Sequence, residues 1–188
     1  MSEFTKPVDG KDLTLTIDEN IQMFAEQAMN KIEEVNHEWA TISVMNAKTG
    51  EILAVASSPS FDNNTLEISS YYDPFCSYTY EPGSTFKIIT STIALEEGKV
   101  SVEDTFSCPG FAIVEDRKIR CHKVRGHGGQ NFAQGLQNSC NPVFINVGLR
   151  VGADYFYEGM KSLGLLSKTG INSPGIMNPF CGCFHLIS

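Results

Sequence analysis

The sequence predicts an α+β fold, in which helices and antiparallel strands occur in separate runs. Apolar residues recur at helical spacing over residues 18–36 and in the last third of the chain. Two pairs of short β-prone runs are also present, each pair joined by a short connection. Strands joined by tight turns pair in antiparallel fashion, so the predicted sheet is antiparallel.

Composition places the chain among folded globular proteins, with the length of one domain or a large part of one. Its 188 residues are 41% hydrophobic and 19% charged. The net charge of −8 argues against a nucleic-acid or anionic-membrane surface, because both need clustered positive charge. The longest apolar run, residues 52–56, is far shorter than the roughly 18 residues of a membrane span. We therefore expect no membrane segment and no secretory leader in this chain.

The first half of the chain divides into four predicted pieces. A flexible lead-in over residues 1–11 is followed by a helix over 18–36, with a capping box at 16–19. Residues 40–57 predict a hairpin, because the turn sequence NAKTG separates two β-prone runs. The polar residues 57–83 predict a long surface loop of the kind that carries function. A helix then begins after Pro82-Gly83 and ends at Gly98.

The second half predicts a further hairpin and three short helices. The hairpin covers residues 105–121, and a loop that contains His127 follows over 123–130. The helices are predicted over the following ranges: 132–138, 142–151 and 153–163. We interpret His127, beside two glycines, as a loop residue rather than a catalytic base. Tyrosines 71, 72, 78 and 80 fit either a substrate groove or simple packing.

The most informative segment is EPGSTFK, residues 81–87, which places a serine at the start of a predicted helix and a lysine one turn later. Residues i and i+3 share one helix face, so the Lys87 amine can reach the Ser84 hydroxyl. An amine with a pKa lowered by burial can remove the serine proton, and a helix N-terminus favours negative charge on the serine oxygen. The alternative is a serine cap followed by a surface lysine.

A second segment, Ser139-Cys140-Asn141, is the only S-x-N in the chain and lies 55 residues after the only S-x-x-K. Its serine can relay a proton toward a leaving group, and its asparagine amide can orient a substrate amide and the lysine. Followed by Pro142, the same tripeptide would also serve to start a helix. S-x-x-K and S-x-N belong to the motif set of serine acyltransferases.

Several further sequences accompany these two motifs in a recognisable order. They are DLTLTID at 12–18, AKTGEILA at 47–54, HG at 127–128 and TGI at 169–171. With them, residues 12–175 resemble the amino-terminal part of the transpeptidase domain of class B penicillin-binding proteins, of the cell-division and sporulation type. The resemblance implies the fold that these proteins share with serine β-lactamases, an antiparallel sheet with helices.

The resemblance also implies roles for individual residues. Ser84 would be the acylated nucleophile, Lys87 its general base, and Ser139 and Asn141 the second motif. Three neighbouring residues are candidates for substrate binding: Tyr80, Thr85 and Cys140. The implied substrate is the D-Ala-D-Ala end of a peptidoglycan stem peptide, and β-lactams would acylate the same serine. No cofactor and no metal is expected, and the expected partners are division or sporulation cell-wall proteins outside the cytoplasmic membrane.

The third motif of the family, K-[ST]-G, is expected on a strand far beyond S-x-N. Neither K-T-G triplet in the chain fits, because Lys48-Thr49-Gly50 lies in a predicted turn and Lys168-Thr169-Gly170 follows Ser139 by only 29 residues. Residues 176–188 match nothing expected of the family. We therefore expect a transpeptidase domain truncated before its third motif, lacking strands and one oxyanion donor, with weak or no turnover alone.

Two other functions stay open on the sequence. One is a non-catalytic remnant that binds a partner or forms a swapped oligomer, since a missing part of the sheet leaves an unpaired edge. The other is a serine β-lactamase, which shares the S-x-x-K chemistry, although the lead-in over residues 12–22 counts against it.

Cysteines provide two further candidate sites. A disulfide is open between any two of Cys108, Cys121 and Cys140, and a bond through Cys140 would gate the second motif by redox state. The alternative is three inert, partly buried thiols. The tail sequence Cys181-x-Cys183-x-His185 is too tightly spaced for the usual zinc pattern, and we expect no metal there.

Overall fold

The structure, a computed structural model, describes residues 9–10, 12, 14–61, 64 and 73–168, and it mixes helices with antiparallel strands as the sequence predicts. The elements in chain order are α1 (Glu19–Glu33), β1 (Ala40–Met45), β2 (Ile52–Ser58), α2 (Pro74–Ser77), a 3₁₀ turn (Gly83–Phe86), α3 (Lys87–Glu96), β3 (Thr105–Cys108), β4 (Phe111–Val114), β5 (Arg117–Arg120), β6 (Gly128–Asn131), α4 (Phe132–Gln137), α5 (Asn141–Val151) and α6 (Ala153–Ser162). The described residues divide into two compact units, one up to residue 78 and one from residue 79.

The first unit contains α1 and the predicted hairpin of β1 and β2. The residues that form its core are Ala25 and Met29 of α1 with Ala54 and Ala56 of β2. The side chain of Gln22 also joins the helix to the strand, because its Nε2 donates to the Val55 carbonyl at 2.8 Å and its Oε1 accepts from the Val55 amide at 2.9 Å. Small side chains on β2 let the helix approach closely enough for both bonds.

The start of α1 differs from the predicted capping box. Asp18 is the N-cap, and its Oδ1 accepts from the backbone N–H groups of Asn20 and Ile21. Thr16 is not part of a cap, because its hydroxyl donates to the Ile52 carbonyl instead. An aspartate cap satisfies two free N–H groups of the first turn equally well, so the helix still begins where its apolar pattern begins.

The first K-T-G triplet lies in the turn between β1 and β2, as the sequence predicts. The backbone N–H of Lys48 donates to Asn46 Oδ1 at 3.0 Å, and Gly50 has a φ of +77°. The triplet is exposed at a chain reversal and not on a strand.

The second unit surrounds a single core with α5 at its centre. Val143 and Val147 of α5 have no exposed surface, and other core residues come from α3, α6, β3 and α4 and from the connections that hold Val100, Cys121 and Cys140. The helices predicted over 132–163 are confirmed with bounds that differ by one residue. Among the described residues, no helix is long and apolar enough to cross a membrane.

The hairpin predicted over residues 105–121 is instead two separate pairings. β4 pairs with β5, whereas β3 pairs with β6, with Cys108 opposite Gly128. The sequence predicted a loop where β6 lies, because Gly128 and Gly129 have low strand propensity. Pairing with a distant strand overrides that preference. The pairing carries His127 to the end of β3 that holds Cys108.

Two glycines let the segments at this end of β3 touch through their backbones. Gly110 and Gly126 have φ of +96° and +80°. A Cβ on Gly126 would lie 2.2 Å from the carbonyl oxygen of Cys108, and one on Gly110 would lie 2.2 Å from that of Val124. Only glycine fits at either position, so the backbone contact is a requirement on the sequence.

Gly126→Ala should lower the free energy of unfolding more than Gly128→Ala does. Both positions have positive φ, +80° and +74°, so each alanine introduces about 1–2 kcal/mol of left-handed strain. At Gly126 the methyl must also displace the Cys108 carbonyl, which adds about 1–3 kcal/mol, whereas nothing lies within 4 Å at Gly128. Urea unfolding of the two variants measures the difference, and equal losses would contradict the close contact.

Candidate active site

Ser84 lies exposed in the 3₁₀ turn that leads directly into α3. Gly83, at φ +57°, allows the chain to enter this turn, and Lys87 is the first residue of α3. The Lys87 amine lies 3.2 Å from Ser84 Oγ, as the i, i+3 spacing predicts. Ser84 is therefore exposed to solvent, and the half-buried Lys87 amine lies within hydrogen-bond distance of its hydroxyl.

The Lys87 amine also reaches the second motif. Its Nζ lies 3.0 Å from Ser139 Oγ and 2.7 Å from the Ser139 carbonyl oxygen, and it donates to Asn141 Oδ1 at 2.7 Å. Two of the four contacts are carbonyl oxygens, which only accept, and two are hydroxyls, which can also donate. A neutral amine can donate to both carbonyls and accept from one hydroxyl. The arrangement therefore allows an uncharged lysine to accept a proton from a hydroxyl.

Burial lowers the pKa of the Lys87 amine from its ordinary value, while negative charge on Cys121 and Cys140 acts in the opposite direction. The ring of Phe144, with its centroid 5.5 Å from Nζ, contributes to the apolar surroundings. A lower pKa increases the fraction of neutral amine near neutral pH, which is the form that can accept a proton.

The corner between α4 and α5 holds the second motif in place. The backbone N–H of Ser139 donates to Leu136 and that of Cys140 to Gly135, each at 2.9 Å, and Ser139 has the left-handed φ of +46°. The Asn141 side chain is oriented at both ends, because its Nδ2 donates to the Arg120 carbonyl at 2.9 Å while its Oδ1 accepts from the lysine.

Of the candidate substrate-binding residues, two are at the surface and one is not. Tyr80 and Thr85 are exposed, and the Thr85 hydroxyl donates to the Pro82 carbonyl. The side chain of Cys140 is fully buried, so its sulfur does not face a ligand bound at Ser84. The prediction that Cys140 contacts substrate is therefore wrong for its side chain, because the backbone direction at the corner turns that side chain inward.

Several predicted residues lie elsewhere or outside the described residues. Tyr78 belongs to the first unit, where its ring packs edge-on against Trp39 with centroids 5.5 Å apart. Lys168 is exposed at the end of the described chain. The following residues are outside it: Tyr71, Tyr72, Thr169, Gly170, Cys181, Cys183 and His185.

The three cysteines considered for a disulfide are free thiols in the structure. They gather around His127, whose Nδ1 lies 3.6 Å from the sulfurs of both Cys108 and Cys121. The sequence predicts a relation among the three cysteines, but it predicts His127 only as a loop residue. The position of His127 beside the cysteines depends on the pairing of β3 with β6, which the sequence did not predict.

The thiols of Cys108 and Cys140 have opposite pKa shifts. Burial works to raise the pKa of Cys108, but hydrogen bonds from the His127 backbone and ring and from the Gly110 backbone outweigh it and lower the pKa to about 6. Burial, with the neighbouring Cys108, raises the pKa of Cys140 to about 12. One thiol of this buried pair is therefore disposed to ionise ahead of the other.

The segment from Arg117 to Arg125 is the densest positive stretch of the chain. Five of the 14 Lys and Arg residues lie within it, at 117, 118, 120, 123 and 125, and all five are exposed. The segment contains no acidic residue. It borders the candidate site through the Arg120 carbonyl, which accepts from Asn141.

The second unit thus brings together an exposed serine, a lysine within reach of it and an S-x-N corner, which is the arrangement expected of the penicillin-binding family. The family model for the penicillin binding protein transpeptidase domain matches residues 40–178, and the chain belongs to this family. Stage V sporulation protein D of Bacillus subtilis (strain 168) is 42% identical to it over 92% of this chain. Penicillin-binding protein PbpB of Mycobacterium tuberculosis is 28% identical over 90% of this chain. The chain spans 28% and 26% of the lengths of these two relatives.

Solved structures show the same fold. A peptidoglycan synthetase from Bifidobacterium adolescentis matches 91% of this chain and 32% of its own length, with a TM-score of 0.79 and 26% identity. The D,D-transpeptidase domain of a peptidoglycan glycosyltransferase from Eggerthella lenta matches 85% of this chain and 39% of its own length, with a TM-score of 0.72 and 31% identity.

The Lys87 amine should titrate below the ordinary lysine pKa of about 10.4. NMR of ¹³C-labelled lysine measures this, with the resonance assigned by its absence from Lys87→Met. Because the folded-state pKa is lowered by burial, the folded chain releases this proton at a lower pH than the unfolded chain does. Folding stability should therefore increase as pH rises from the folded-state pKa toward the unfolded value. A midpoint at or above that of a free lysine would show that burial does not dominate.

Proposed function

We propose that this chain supplies the nucleophile, the general base and the second motif of a penicillin-binding D,D-transpeptidase. The observation that carries the proposal is the Lys87 amine, which lies within 3.2 Å of Ser84 Oγ and also contacts Ser139 and Asn141. The proposed substrate is the D-Ala-D-Ala end of a peptidoglycan stem peptide. The names of several relatives, among them a peptidoglycan D,D-transpeptidase of Acinetobacter baumannii, support that substrate class.

In the proposed reaction, neutral Lys87 accepts the Ser84 proton as the serine oxygen attacks the carbonyl carbon of the penultimate D-Ala. The new C–O bond forms a tetrahedral intermediate, whose negative oxygen is stabilised by backbone N–H donors, that of Ser84 among them. The C–N bond to the terminal D-Ala then breaks. The proton passes through the Ser139 hydroxyl to the departing amine, and the acylated Ser84 is left.

The second half of the reaction reverses these steps with a different amine. An amino group from a neighbouring stem peptide attacks the acyl carbon, gives its proton back through the same relay, and frees Ser84. A β-lactam would enter by the first half alone, because opening its ring breaks the C–N bond without releasing the amine. The amine stays attached and hinders the second half.

We also propose a setting for this activity. Residues 12–175 would form the amino-terminal part of a transpeptidase domain that works outside the cytoplasmic membrane, with division or sporulation cell-wall proteins as partners. The name of the Bacillus subtilis relative, a sporulation protein, supports sporulation proteins as the partners.

A fluorescent penicillin should label the chain covalently at Ser84, and mass spectrometry of the tryptic peptide identifies the site. Ser84→Ala should abolish labelling, and Lys87→Met should slow it by about 10²–10⁴-fold, the range of a lost general base. Ser162→Ala, an exposed serine of α6, is the control and should label as the parent does. Failure of the folded chain to label would indicate a non-catalytic protein, and rapid release of hydrolysed penicillin would indicate a β-lactamase.

Asn141→Ala should slow labelling by about 10–10²-fold, because it removes the acceptor that orients the lysine. Asn146→Ala is the matched control on the same helix, since among the described residues Asn146 Nδ2 donates to the Pro142 carbonyl, within α5. Stopped-time labelling of both variants gives the rates. Equal rates would remove Asn141 from the site.

A further inference from the structure

Four potential metal ligands converge in the second unit, and the proposed function uses none of their side-chain atoms. The sulfurs of Cys108, Cys121 and Cys140 and a ring nitrogen of His127 all lie within 4.8 Å of one another. The three cysteines are 1%, 3% and 0% exposed. Three free thiols and an imidazole meet at one buried point, and buried polar groups of this kind need partners.

We propose that Cys108, Cys121, His127 and Cys140 bind one zinc ion and that this ion fixes the Ser139-Asn141 corner. The spacing suits a tetrahedral site. With Zn–S bonds of about 2.3 Å and Zn–N bonds of about 2.0–2.1 Å, sulfur and nitrogen ligands stand about 3.6 Å apart and two sulfurs about 3.8 Å. His127 Nδ1 lies 3.6 Å from two of the sulfurs.

The donor set selects zinc by its chemistry. Thiolates with one imidazole make a closed, four-coordinate site of the Cys₃His type, which is typical of structural zinc. Binding forms three Zn–S bonds and one Zn–N bond, and each sulfur that still carries a proton releases it to solvent. The site then carries one net negative charge.

Backbone N–H groups near two of the sulfurs would stabilise this charge. Those of Gly110 and His127 favour the charged form of the Cys108 sulfur, and that of Val143 favours the charged form of the Cys140 sulfur. Such outer hydrogen bonds orient metal ligands and stabilise their charge. The N–H of Val143 lies in the first turn of α5, where it has no acceptor within the helix.

The ligands come from three segments that are far apart in the sequence. Cys108 ends β3, Cys121 and His127 are the ends of the loop between β5 and β6, and Cys140 is the N-cap residue of α5. The glycine contact between Gly126 and the Cys108 carbonyl brings the first two segments together. A bound ion would crosslink all three, and such a crosslink stabilises most when it closes long loops.

Both sides of the second motif are tied to this cluster. Cys140 lies between Ser139 and Asn141, and the Asn141 side chain donates to the carbonyl of Arg120, the residue before Cys121. The hydrogen bond therefore joins two residues that are each next to a proposed zinc ligand in the sequence: Asn141 is next to Cys140, and Arg120 is next to Cys121. Fixing the two sulfurs fixes the corner that presents Ser139 and Asn141 to Lys87.

A disulfide is the competing use of the same thiols. It would join two sulfurs and leave the third thiol and His127 without a partner, whereas zinc takes all four ligands. Each of the three sulfurs would be bound to zinc, so a zinc-loaded chain should resist oxidation at these positions.

The first test is the metal content of the 188-residue chain purified anaerobically. We expect one zinc per chain, with the content falling to near zero in Cys108→Ser and in Cys121→Ser. Cys76→Ser is the matched control, because Cys76 belongs to the first unit and lies outside the cluster, and it should keep the zinc. Zinc kept by both ligand variants, or a folded parent chain without zinc after zinc dialysis, would overturn the proposal.

The second test identifies the ligands without a variant that can misfold. Cobalt(II) added to the zinc-free parent chain should give the intense near-ultraviolet thiolate-to-cobalt bands and the visible bands of a tetrahedral site, and zinc should abolish both. Cobalt binding without thiolate bands would overturn the assignment. The same measurement on Ser84→Ala, which cannot be acylated, keeps this result separate from the outcome of the penicillin experiment.

The third test concerns the effect on the corner. Amide hydrogen exchange of residues 136–141 should speed up at least about 10-fold when zinc is removed with a chelator and recover when zinc is returned. Penicillin labelling should fall and recover in parallel, a consequence that rests on the proposed function. Exchange that does not change with zinc would show that the ion does not fix Ser139 and Asn141.

Discussion

The amine of Lys87 joins two segments that are more than fifty residues apart, and the candidate chemistry depends on this contact. One segment is the 3₁₀ turn with Ser84, and the other is the corner with Ser139 and Asn141. Without the lysine, the serine would be an ordinary exposed hydroxyl. With it, a proton acceptor, a second hydroxyl and an oriented amide lie within hydrogen-bond distance of one nitrogen.

The contact is maintained because the strained backbone at Ser139 is followed directly by a helix that packs in the core. Ser139 has a left-handed conformation that costs a residue with a Cβ about 1–2 kcal/mol. Two residues further on, α5 buries Val143 and Val147 completely. Burying a valine side chain contributes about 1.5–3 kcal/mol, which is enough to offset the strain. Packing of α5 in the core therefore stabilises the corner, and the proposed zinc ion would add a second restraint at Cys140.

The local chemistry of the site could be predicted from the sequence because it depends on short-range geometry. The reach of Lys87 to Ser84 follows from helical spacing, and the helix that starts at Asn141 follows from Pro142 and the apolar pattern behind it. The contact of Lys87 with the second motif came from the resemblance to a family, because no spacing rule relates residues 52 positions apart.

The arrangement around Cys108 could not be predicted, because it depends on a long-range strand pairing. β6 contains two glycines and forms only where β3 offers a partner. The same pairing brings His127 next to the cysteines. Because β6 was not predicted, the cluster of three cysteines and His127 was not predicted either. The buried orientation of Cys140 was missed for a related reason, since the side chain's direction follows from the left-handed turn before it.

The stretch from Arg117 to Arg125 shows why overall charge says little about which molecules a protein attracts. The chain carries a net charge of −8, yet five cationic side chains line the segment that borders Asn141. In physiological salt, charges influence each other over only about 8 Å, so a molecule beside this segment senses its five cations more strongly than it senses the net charge of the chain. A carboxylate beside the segment thus meets a favourable local field on a protein whose net charge would repel it.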